Sequence, residues 1–384
     1  MSDMFEAKQR LREKEAALRK SEEKFRRIVQ TTDEGFLSMD GAMRIIDVND
    51  AFCSMVGRRR GEVLGSLHLE FFTEKSRQII LANRDRLISR ESRRTEATLQ
   101  KRNGQVVPVL IHGNPLRDDR RGLIGQMAFF TDLTEQMKAL ALAGEVQRSL
   151  LPRESPKVRG LDIAGRNVSC DEVGGDYHDF FLQQENAGNS FSVAVGDISA
   201  HGVDAALLMS SARAFLRKYV SQNEVTAEIV RSMNRHLTED VKESGRFMTL
   251  FYLTISSDLH SLEWVRAGHD PALIYDPITD EFTELLGPDM ALGVKPDYPF
   301  IANRKEGLHD GHLIAIGTDG IRETRNIAGE MFGKERFRVL LQKHADRPAA
   351  ETLNAVFSAV EEFRAGRKAE DDITLVLVKV QKRV

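Results

Sequence analysis

Residues 157–384 alternate short, almost wholly apolar runs with stretches in which apolar residues recur every three or four positions. Phe191–Asp197 and His312–Gly317 are apolar runs that end in Gly-Asp or Gly, which is typical of buried central strands. Ala205–Tyr219 and Ala227–Val241 have the helical spacing and predict amphipathic helices. Further strands are predicted at Phe247–Ser256, Leu262–Ala267, Ala272–Asp276 and Ile373–Val380, and further helices at Gly333–His344 and Ala349–Ala365. The alternation predicts an α+β architecture in which helices cover layers of strands.

Residues 25–132 form a second region, which is richer in β-type runs. Strands are predicted at Gly35–Asp40, Met43–Val48, Arg94–Lys101, Val106–Gly113 and Gly122–Asp132. Asn103-Gly104 stands between two of these runs and is a strong hairpin signal. Asn49–Val56 predicts a short helix. We therefore expect a small α/β module here.

Two segments outside these regions are predicted to be helical. Residues 1–24 are rich in Glu, Lys, Arg, Ala and Leu, which favour helix. Apolar residues recur there at heptad spacing, at Met4, Leu11, Leu18 and Phe25. The companion heptad positions are only partly apolar, so a dimeric coiled coil and a solvated helix are both open. Residues 133–152 predict a linker helix that ends at Pro152, acting either as a regulatory lever or as a passive spacer.

Composition and charge narrow the class of protein. The chain has 384 residues, a net charge of −3 and two cysteines, Cys53 and Cys170. The length allows two or three domains, and two cysteines are too few for a disulfide framework. No basic region suggests nucleic-acid binding, and no run approaches the roughly 18 apolar residues of a membrane span. We therefore expect a soluble, cytoplasmic protein that binds neither nucleic acid nor membrane.

Four acidic motifs carry the candidate chemistry. They are Gly174-Gly175-Asp176, Gly196-Asp197-Ile198-Ser199-Ala200-His201-Gly202, Thr318-Asp319-Gly320 and Asp371-Asp372-Ile373-Thr374. Each is weak alone, because Asp-Gly is a common turn dipeptide and paired aspartates are commonly solvated. Aspartates gathered by the fold would need cations among them, since like charges raise one another's pKa. Because oxygen ligands suit Mg²⁺ and Mn²⁺, the motifs predict a site for two such ions.

In order and spacing, these motifs resemble the PPM family of metal-dependent Ser/Thr protein phosphatases, in its bacterial SpoIIE-like branch. The resemblance extends over residues 157–384, with Glu145–Pro152 at the entrance and Phe247–Tyr252 and Ala267–Pro271 between the acidic motifs. It implies a β-sandwich flanked by helices, with the metal site at one end of the sandwich.

Residues 25–132 resemble a PAS sensor domain. The matching residues are Ser21–Arg26, Asp47–Phe52 and Phe130–Glu135. The flavin-adduct cysteine motif is missing, and His68 and His112 are single histidines, so we assign no cofactor to this domain.

The resemblance to the phosphatases also implies a role for each acidic residue. Asp197 would bridge two Mn²⁺ or Mg²⁺ ions, and the backbone carbonyl of Ile198 would bind one of them. Asp319 and Asp371 would hold the second ion, and Asp176 would contribute through water. Asp197 and Asp176 are thus the expected catalytic residues. Of the pair Asp371-Asp372, the first acid matches the family's ligand position, so Asp371 is preferred over Asp372 as the ligand.

Three positions depart from the branch. Ala200 replaces a glycine, His178 an aromatic residue and Asp270 an asparagine. None removes a carboxylate, so we expect activity. His178, His201 and His269 are candidate proton donors to the leaving oxygen, although a structural role explains each of them more simply.

The function that the resemblance implies is a sensor-regulated Ser/Thr protein phosphatase in which two metal ions activate water. Its expected substrate is a phosphorylated anti-sigma-factor antagonist, and its expected state is a homodimer through the PAS domain and flanking helices. A diguanylate cyclase is one alternative, because Gly174-Gly175-Asp176 follows a PAS domain, but Tyr177-His178 does not continue that signature. A non-catalytic module that keeps the fold is the other. Production of a cyclic dinucleotide from GTP would identify the cyclase. A lack of metal binding would identify the non-catalytic module.

Overall fold

The computed structural model describes residues 2–82, 93–118, 122–185, 188–222 and 224–381. The chain divides into two compact units, with the division after Ala139. Among the described residues, no helix combines the length and the apolar character that crossing a membrane requires.

The first unit is a five-stranded antiparallel sheet with short helices. Its elements are α1 (Ser2–Thr31), β1 (Gly35–Asp40), β2 (Ile45–Val48), α2 (Asp50–Val56), α3 (Arg60–Val63), α4 (Glu74–Ala82), β3 (Arg93–Gln100), β4 (Val106–Arg117) and β5 (Leu123–Asp132). The strand order is β2-β1-β5-β4-β3. Buried Asn49 caps α2, since its Oδ1 accepts from the Phe52 amide at 3.0 Å, and its Nδ2 donates to the Val29 carbonyl at 2.9 Å. This asparagine therefore joins α1 to the sheet region.

The second unit is a sandwich of two five-stranded antiparallel sheets with helices on both outer faces, which confirms the predicted α+β fold. Its elements are α5 (Thr134–Leu150, which begins in the first unit), β6 (Leu161–Val168), β7 (Tyr177–Glu185), β8 (Gly188–Ile198), α6 (Val203–Ser221), α7 (Thr226–Val241), β9 (Met248–Ile255), β10 (Ser261–Ala267), β11 (Ala272–Asp276), β12 (Glu281–Leu285), β13 (Asn303–Glu306), β14 (Leu313–Gly317), α8 (Gly320–Glu323), α9 (Gly333–Lys343), α10 (Ala349–Arg364) and β15 (Ile373–Val380). The strand orders are β13-β10-β9-β8-β7 and β12-β11-β14-β15-β6.

Three buried layers hold the sandwich together. The middle layer joins the sheets through residues such as Val193 and Phe251 of the first and Ile314 and Val376 of the second. Helices α6 and α7 cover the outer face of the first sheet, and α9 and α10 cover that of the second. Burial of apolar area at about 25 cal/mol per Å² makes these layers the main stabilising term. These layers hold in place the strand ends at which the acidic motifs lie.

The sequence patterns did not predict β6, β7, β12 and β13. These four are the edge strands of the two sheets. Edge strands carry polar residues on one side, so their apolar signal is weak. In β12 and β13, exposed and partly buried residues alternate almost throughout. The central strands were predicted because both of their faces are buried.

Helices α1 and α5 both leave large apolar side chains exposed. On α1, Leu18 and Phe25 are 61% and 57% exposed, and the side chains of Met4 and Leu11 lie outside the described residues. On α5, the buried positions are Gly144 and Gln147, whereas Leu142 and Val146 are exposed. The buried side of α5 therefore rests on a close backbone approach and an amide rather than on an apolar stripe.

Candidate metal centre

Asp197 lies at the end of β8, a strand with neighbours on both sides in the first sheet. Val193–Val195 of β8 is fully buried, which fixes the strand, and Asp197 pairs with Thr249 of β9. The next residue, Ile198, has a buried side chain, and its carbonyl accepts the Ala200 amide at 2.6 Å. A carbonyl oxygen has two lone pairs, so one remains for a further ligand.

Asp319 and Asp371 come together because their strands are antiparallel neighbours. Gly317 at the end of β14 pairs with Leu375 near the start of β15. Asp319 follows β14 and Asp371 precedes β15, so both lie at the same edge of the second sheet. A Cβ atom on Gly320 would lie 1.9 Å from the Asp372 carbonyl oxygen. The turn after Asp319 therefore requires glycine.

Asp176 is buried beneath this edge. Its Oδ2 accepts hydrogen bonds from the hydroxyls of Thr318 at 2.9 Å and Thr374 at 2.7 Å. The side chain is 3% exposed. The two threonines belong to the motifs of Asp319 and Asp371, so they connect the first acidic motif to the last two.

Asp372 has a different environment from Asp371. Its Oδ1 accepts the Cys170 amide at 2.8 Å, and its Oδ2 accepts the amides of Gly175 at 2.7 Å and Asp176 at 3.3 Å. Asp372 is buried, whereas Asp371 is exposed. The backbone amides occupy both oxygens of Asp372, which holds the loop that carries Asp176.

A second contact holds the same loop from α5. The Gln147 side chain donates from Nε2 to the Gly174 carbonyl at 2.6 Å and accepts the Gly174 amide on Oε1 at 3.0 Å. Gln147 is buried. Gly144 brings the helix close, because a Cβ there would lie 2.0 Å from the Glu172 carbonyl oxygen. Helix α5 is therefore joined directly to the segment that precedes Asp176.

The carboxyl groups raise one another's pKa. Burial, followed by the charges of Asp319 and Asp371, raises the pKa of Asp197 to about 8. Burial and then Asp371 raise the pKa of Asp319 to about 6. Burial and then Asp197 hold the pKa of Asp176 well above its ordinary value, and burial also raises the pKa of Asp371. The four predicted aspartates thus converge on one end of the sandwich.

Little positive charge balances these groups. The charges that shift the pKa of Asp197 come from Asp319, Asp371 and Asp372, and all three raise it. Arg322 Nη2 lies 3.9 Å from Asp319 Oδ2, but the same guanidinium also pairs with Asp270 at 3.3 Å and with Glu323 at 2.9 Å. Arg322 thus lies closer to Asp270, with Nε 2.5 Å from Oδ2, than to Asp319.

The three candidate histidines lie in different environments. Burial lowers the pKa of His178 and of His269 to about 4, so both are neutral at pH 7. His269 Nδ1 is 2.8 Å from the Thr249 hydroxyl, beside the strand end that carries Asp197. The His201 side chain is 76% exposed and lies 3.8 Å from Asp171. Only His201 is open to solvent as a proton donor.

The donor set fits hard divalent ions. The four aspartates and the Ile198 carbonyl offer only oxygen, which Mg²⁺ and Mn²⁺ prefer. Raised carboxyl pKa values show that the uncompensated charges are unfavourable without a cation. No three of these carboxylates have oxygens all within 4.8 Å, to judge from the described residues. Asp197, Asp319 and Asp371, which are all assigned to the second ion, would therefore have to move closer together when it binds, because ligands of one Mg²⁺ lie at most about 4.2 Å apart.

Sequence reasoning assigned no structural role to several residues that build this end of the sandwich: Gln147, Thr318, Arg322, Asp372 and Thr374. Thr318 and Thr374 were inside the quoted motifs, and their fixed places beside acids were the available signal. Gln147 was inside the quoted Glu145–Pro152 stretch, but its backbone partner 27 positions away could not be predicted from the sequence.

Comparison with known proteins gives two family matches. The sequence profile of the family described as Stage II sporulation protein E (SpoIIE) matches residues 187–381, just over half of the chain. A PAS domain profile matches residues 33–135. Asp197, Asp319 and Asp371 lie inside the first match, and Asp176 precedes it.

Individual relatives agree with these profiles. Phosphoserine phosphatase RsbU of Bacillus subtilis (strain 168) is 25% identical over 240 residues, covering 62% of this chain and 69% of RsbU. Phosphoserine phosphatase RsbP of the same organism is 23% identical over 249 residues, covering 64% of this chain and 58% of RsbP. The SiaA-PP2C domain of Pseudomonas aeruginosa shares the fold, with a TM-score of 0.56 and 22% identity, over 64% of this chain and 97% of that domain. This chain therefore belongs to the SpoIIE family of PPM-type protein phosphatases and carries a PAS domain ahead of the phosphatase domain.

Proposed function

We propose that this phosphatase is metal-dependent, that it hydrolyses phosphoserine or phosphothreonine, and that its substrate is a phosphorylated anti-sigma-factor antagonist. The observation that carries the proposal is the convergence of Asp176, Asp197, Asp319 and Asp371 at one end of the sandwich with raised pKa values. The names of RsbU and RsbP as phosphoserine phosphatases support the substrate class.

Each residue would have a separate role in binding the two ions. Asp197 would hold both ions, with the Ile198 carbonyl on one of them, and Asp319 and Asp371 would hold the second. Asp176 would act through water, which suits a carboxylate whose Oδ2 already accepts two threonine hydroxyls. Bound Mg²⁺ or Mn²⁺ would lower the pKa of water and neutralise the phosphate of the substrate.

The only cysteine of the phosphatase domain does not compete with this chemistry. Burial and then the charge of Asp372 raise the pKa of the Cys170 thiol to about 12. A cysteine nucleophile must be a thiolate, and at neutral pH this group stays protonated. The raised pKa of Cys170 therefore supports attack by water rather than by a thiolate.

Regulation by the PAS domain would act through α5. Gln147 bonds both backbone groups of Gly174, which lies two residues before Asp176. A shift of α5 along or around its axis would break these bonds and release the loop. The helix would then act as a lever on Asp176 rather than as a passive spacer.

The predicted homodimer is also part of the proposal. Leu18, Phe25 and Ile28 of α1 are each more than half exposed, although they are large and apolar. Leu142 and Val146 of α5 are similarly exposed. A second copy of the chain that covers these side chains would bury them, as coiled-coil partners do.

A phosphate-release assay tests the proposal. The full-length chain is incubated with a phosphorylated anti-sigma-factor antagonist, with and without Mn²⁺ or Mg²⁺. We expect release only with the metal, and a loss on the order of 10³-fold in Asp197→Asn, because the ions supply several kcal/mol of charge stabilisation. Asp240→Asn, an exposed aspartate on α7, is the matched control.

Three outcomes of that assay would contradict the proposal. Turnover that persists in a chelator would exclude the metal dependence. Full activity of Asp197→Asn would exclude the assigned centre. Hydrolysis of other phosphoproteins but not of the antagonist would exclude the substrate and leave the centre intact.

A further inference from the structure

We propose that Asp276, His309 and His312 form a second metal site, for one transition-metal ion of the Zn²⁺ type. Of all the residues that the structure describes, only these three form a group of ligand-type side chains with nitrogen or oxygen atoms all within 4.8 Å of one another. They take no part in the proposed phosphatase reaction.

The site lies at the opposite end of the second sheet from Asp319. Tyr275 of β11 pairs with Leu313 of β14, so the flanking residues Asp276 and His312 meet at this end. Strand β14 is five residues long, which separates its two ends by about 13 Å. The second site is therefore distinct from the candidate metal centre.

The distances suit a small cation. His309 Nε2 lies 3.3 Å from Asp276 Oδ2, and His312 Nε2 lies 3.7 Å from the same oxygen. In a tetrahedral Zn²⁺ site with bonds of about 2.0–2.1 Å, two ligand atoms stand about 3.3 Å apart. The distances from Asp276 Oδ2 to the two histidine nitrogens are therefore close to the ligand-to-ligand distance of such a site before any ion is bound.

His309 is oriented for ligation. Its Nδ1 lies 3.1 Å from the Asp310 carbonyl oxygen, so a neutral ring carries its proton on Nδ1. The hydrogen bond from Nε2 to Asp276 Oδ2 at 3.3 Å needs a proton on Nε2, and a metal ion bound there would take the place of that proton. Metal-ligating histidines usually donate their other ring proton to a carbonyl or carboxylate in this way.

His312 needs one change before it can bind. Its Nδ1 accepts the His309 amide at 3.1 Å, which places the proton of the neutral ring on Nε2. Ligation through Nε2 requires the tautomer with the proton on Nδ1 and the loss of that backbone hydrogen bond. The two rings stack with centroids 3.6 Å apart, a distance at which two positive charges repel. A neutral His312 beside the ion avoids this repulsion.

The donor set distinguishes this site from the acidic centre. Two imidazole nitrogens and one carboxylate oxygen favour Zn²⁺, Co²⁺, Ni²⁺ or Cu²⁺ over Mg²⁺ and Mn²⁺. The ion would join the turn after β11 to the loop before β14. Because it binds the folded state only, it would raise the melting temperature with increasing concentration.

Calorimetric titration of the full-length chain with Zn²⁺ tests the site, with saturating Mg²⁺ present to occupy the acidic centre. We expect one Zn²⁺ per chain, and at least ~10-fold weaker binding in His309→Ala and in Asp276→Asn. His309→Asn is a second variant that keeps a polar side chain at this partly exposed position. His344→Ala, a histidine outside the cluster, should bind Zn²⁺ as the unaltered chain does.

Cobalt gives an independent readout, because Co²⁺ bound by nitrogen and oxygen ligands at low coordination number absorbs visible light. The band should be present in the unaltered chain and absent from His309→Ala. Equal Zn²⁺ affinity in the unaltered chain and in His309→Ala would overturn the proposal. So would the finding that the unaltered chain binds no Zn²⁺, since the cluster would then be only a hydrogen-bonded ion pair.

Discussion

The two ends of the second sheet both carry aspartates, but the surroundings of these aspartates differ. At one end, burial opposes the charge of Asp276, but hydrogen bonds from the Ile278 amide and His309 outweigh it and lower the pKa. At the other end, burial and Asp371 raise the pKa of Asp319 to about 6. The first carboxylate is stabilised by groups of the protein itself. The second gains from an added cation.

This contrast separates structural from functional acids. A carboxylate that accepts several hydrogen bonds stabilises the fold without help, as Asp372 does with three backbone amides. Carboxylates that face one another destabilise the metal-free fold, and only a bound ligand reverses this. The raised pKa values therefore mark the Asp319 end of the sandwich as the one whose carboxylates lack stabilising partners in the protein.

The largest expected effect is a difference in activity between variants at the two ends of the second sheet. Asp319→Asn should lower metal-dependent turnover on the order of 10³-fold, because it removes a ligand from the proposed ions. Asp276→Asn, at the opposite end, should change turnover less than twofold. Steady-state phosphate release measures both. Equal losses in the two variants would remove the distinction between the ends.

The next largest effect is a difference in stability between variants of two neighbouring residues. Asp372→Asn should lower the free energy of unfolding by about 2–3 kcal/mol, because an amide oxygen and NH₂ group cannot accept all three backbone amides. Asp371→Asn should leave stability nearly unchanged and lose activity instead. Urea unfolding of the metal-free chains measures the difference. A stable, inactive Asp372→Asn would indicate that this residue is a ligand after all.

A smaller effect tests the contact between α5 and the acidic centre. Gln147→Ala removes two hydrogen bonds to Gly174, so it should cost about 1–2 kcal/mol and lower turnover about tenfold as the Asp176 loop loosens. Glu145→Ala, an exposed neighbour on the same helix, is the control. Unchanged kcat and metal dependence in Gln147→Ala would show that α5 does not hold the loop in its active arrangement.

The smallest expected effect is a pH dependence of the metal-free chain. The pKa of Asp197 is about 8 in the fold, above its unfolded value near 4, so its contribution to stability is full below pH 4 and is lost as the pH rises through 8. The melting temperature should fall by ~2–4 °C between pH 6 and pH 8.5, and less in Asp197→Asn. Calorimetric scans measure it. A melting temperature that rises over this range would contradict the raised pKa.

In the sandwich, the sequence alone predicted the strands that have neighbours on both sides. The apolar runs of β8 and β14 marked the strands that carry Asp197 and Asp319, and β15 was predicted with the bounds that the structure has. The four edge strands were missed because their polar faces dilute the apolar pattern. Half-exposed elements thus need pairing partners that a single sequence does not show.

The candidate site was likewise predicted only in part from the sequence. The acidic motifs were visible because aspartates at strand ends stand out against apolar runs. The groups that hold them were not, since Thr374 and Asp176 are linked across 198 positions and Gln147 and Gly174 across 27. The assignment of Asp176, Asp197, Ile198, Asp319 and Asp371 as ligands stays a prediction.

Anomalous diffraction from crystals of the full-length chain grown with Mn²⁺ tests the central claim most directly. The account predicts two manganese peaks at the end of the sandwich that carries Asp197, Asp319 and Asp371, and none there in Asp197→Asn. Crystals with no manganese at that end, or with manganese only beside Asp276, would contradict it.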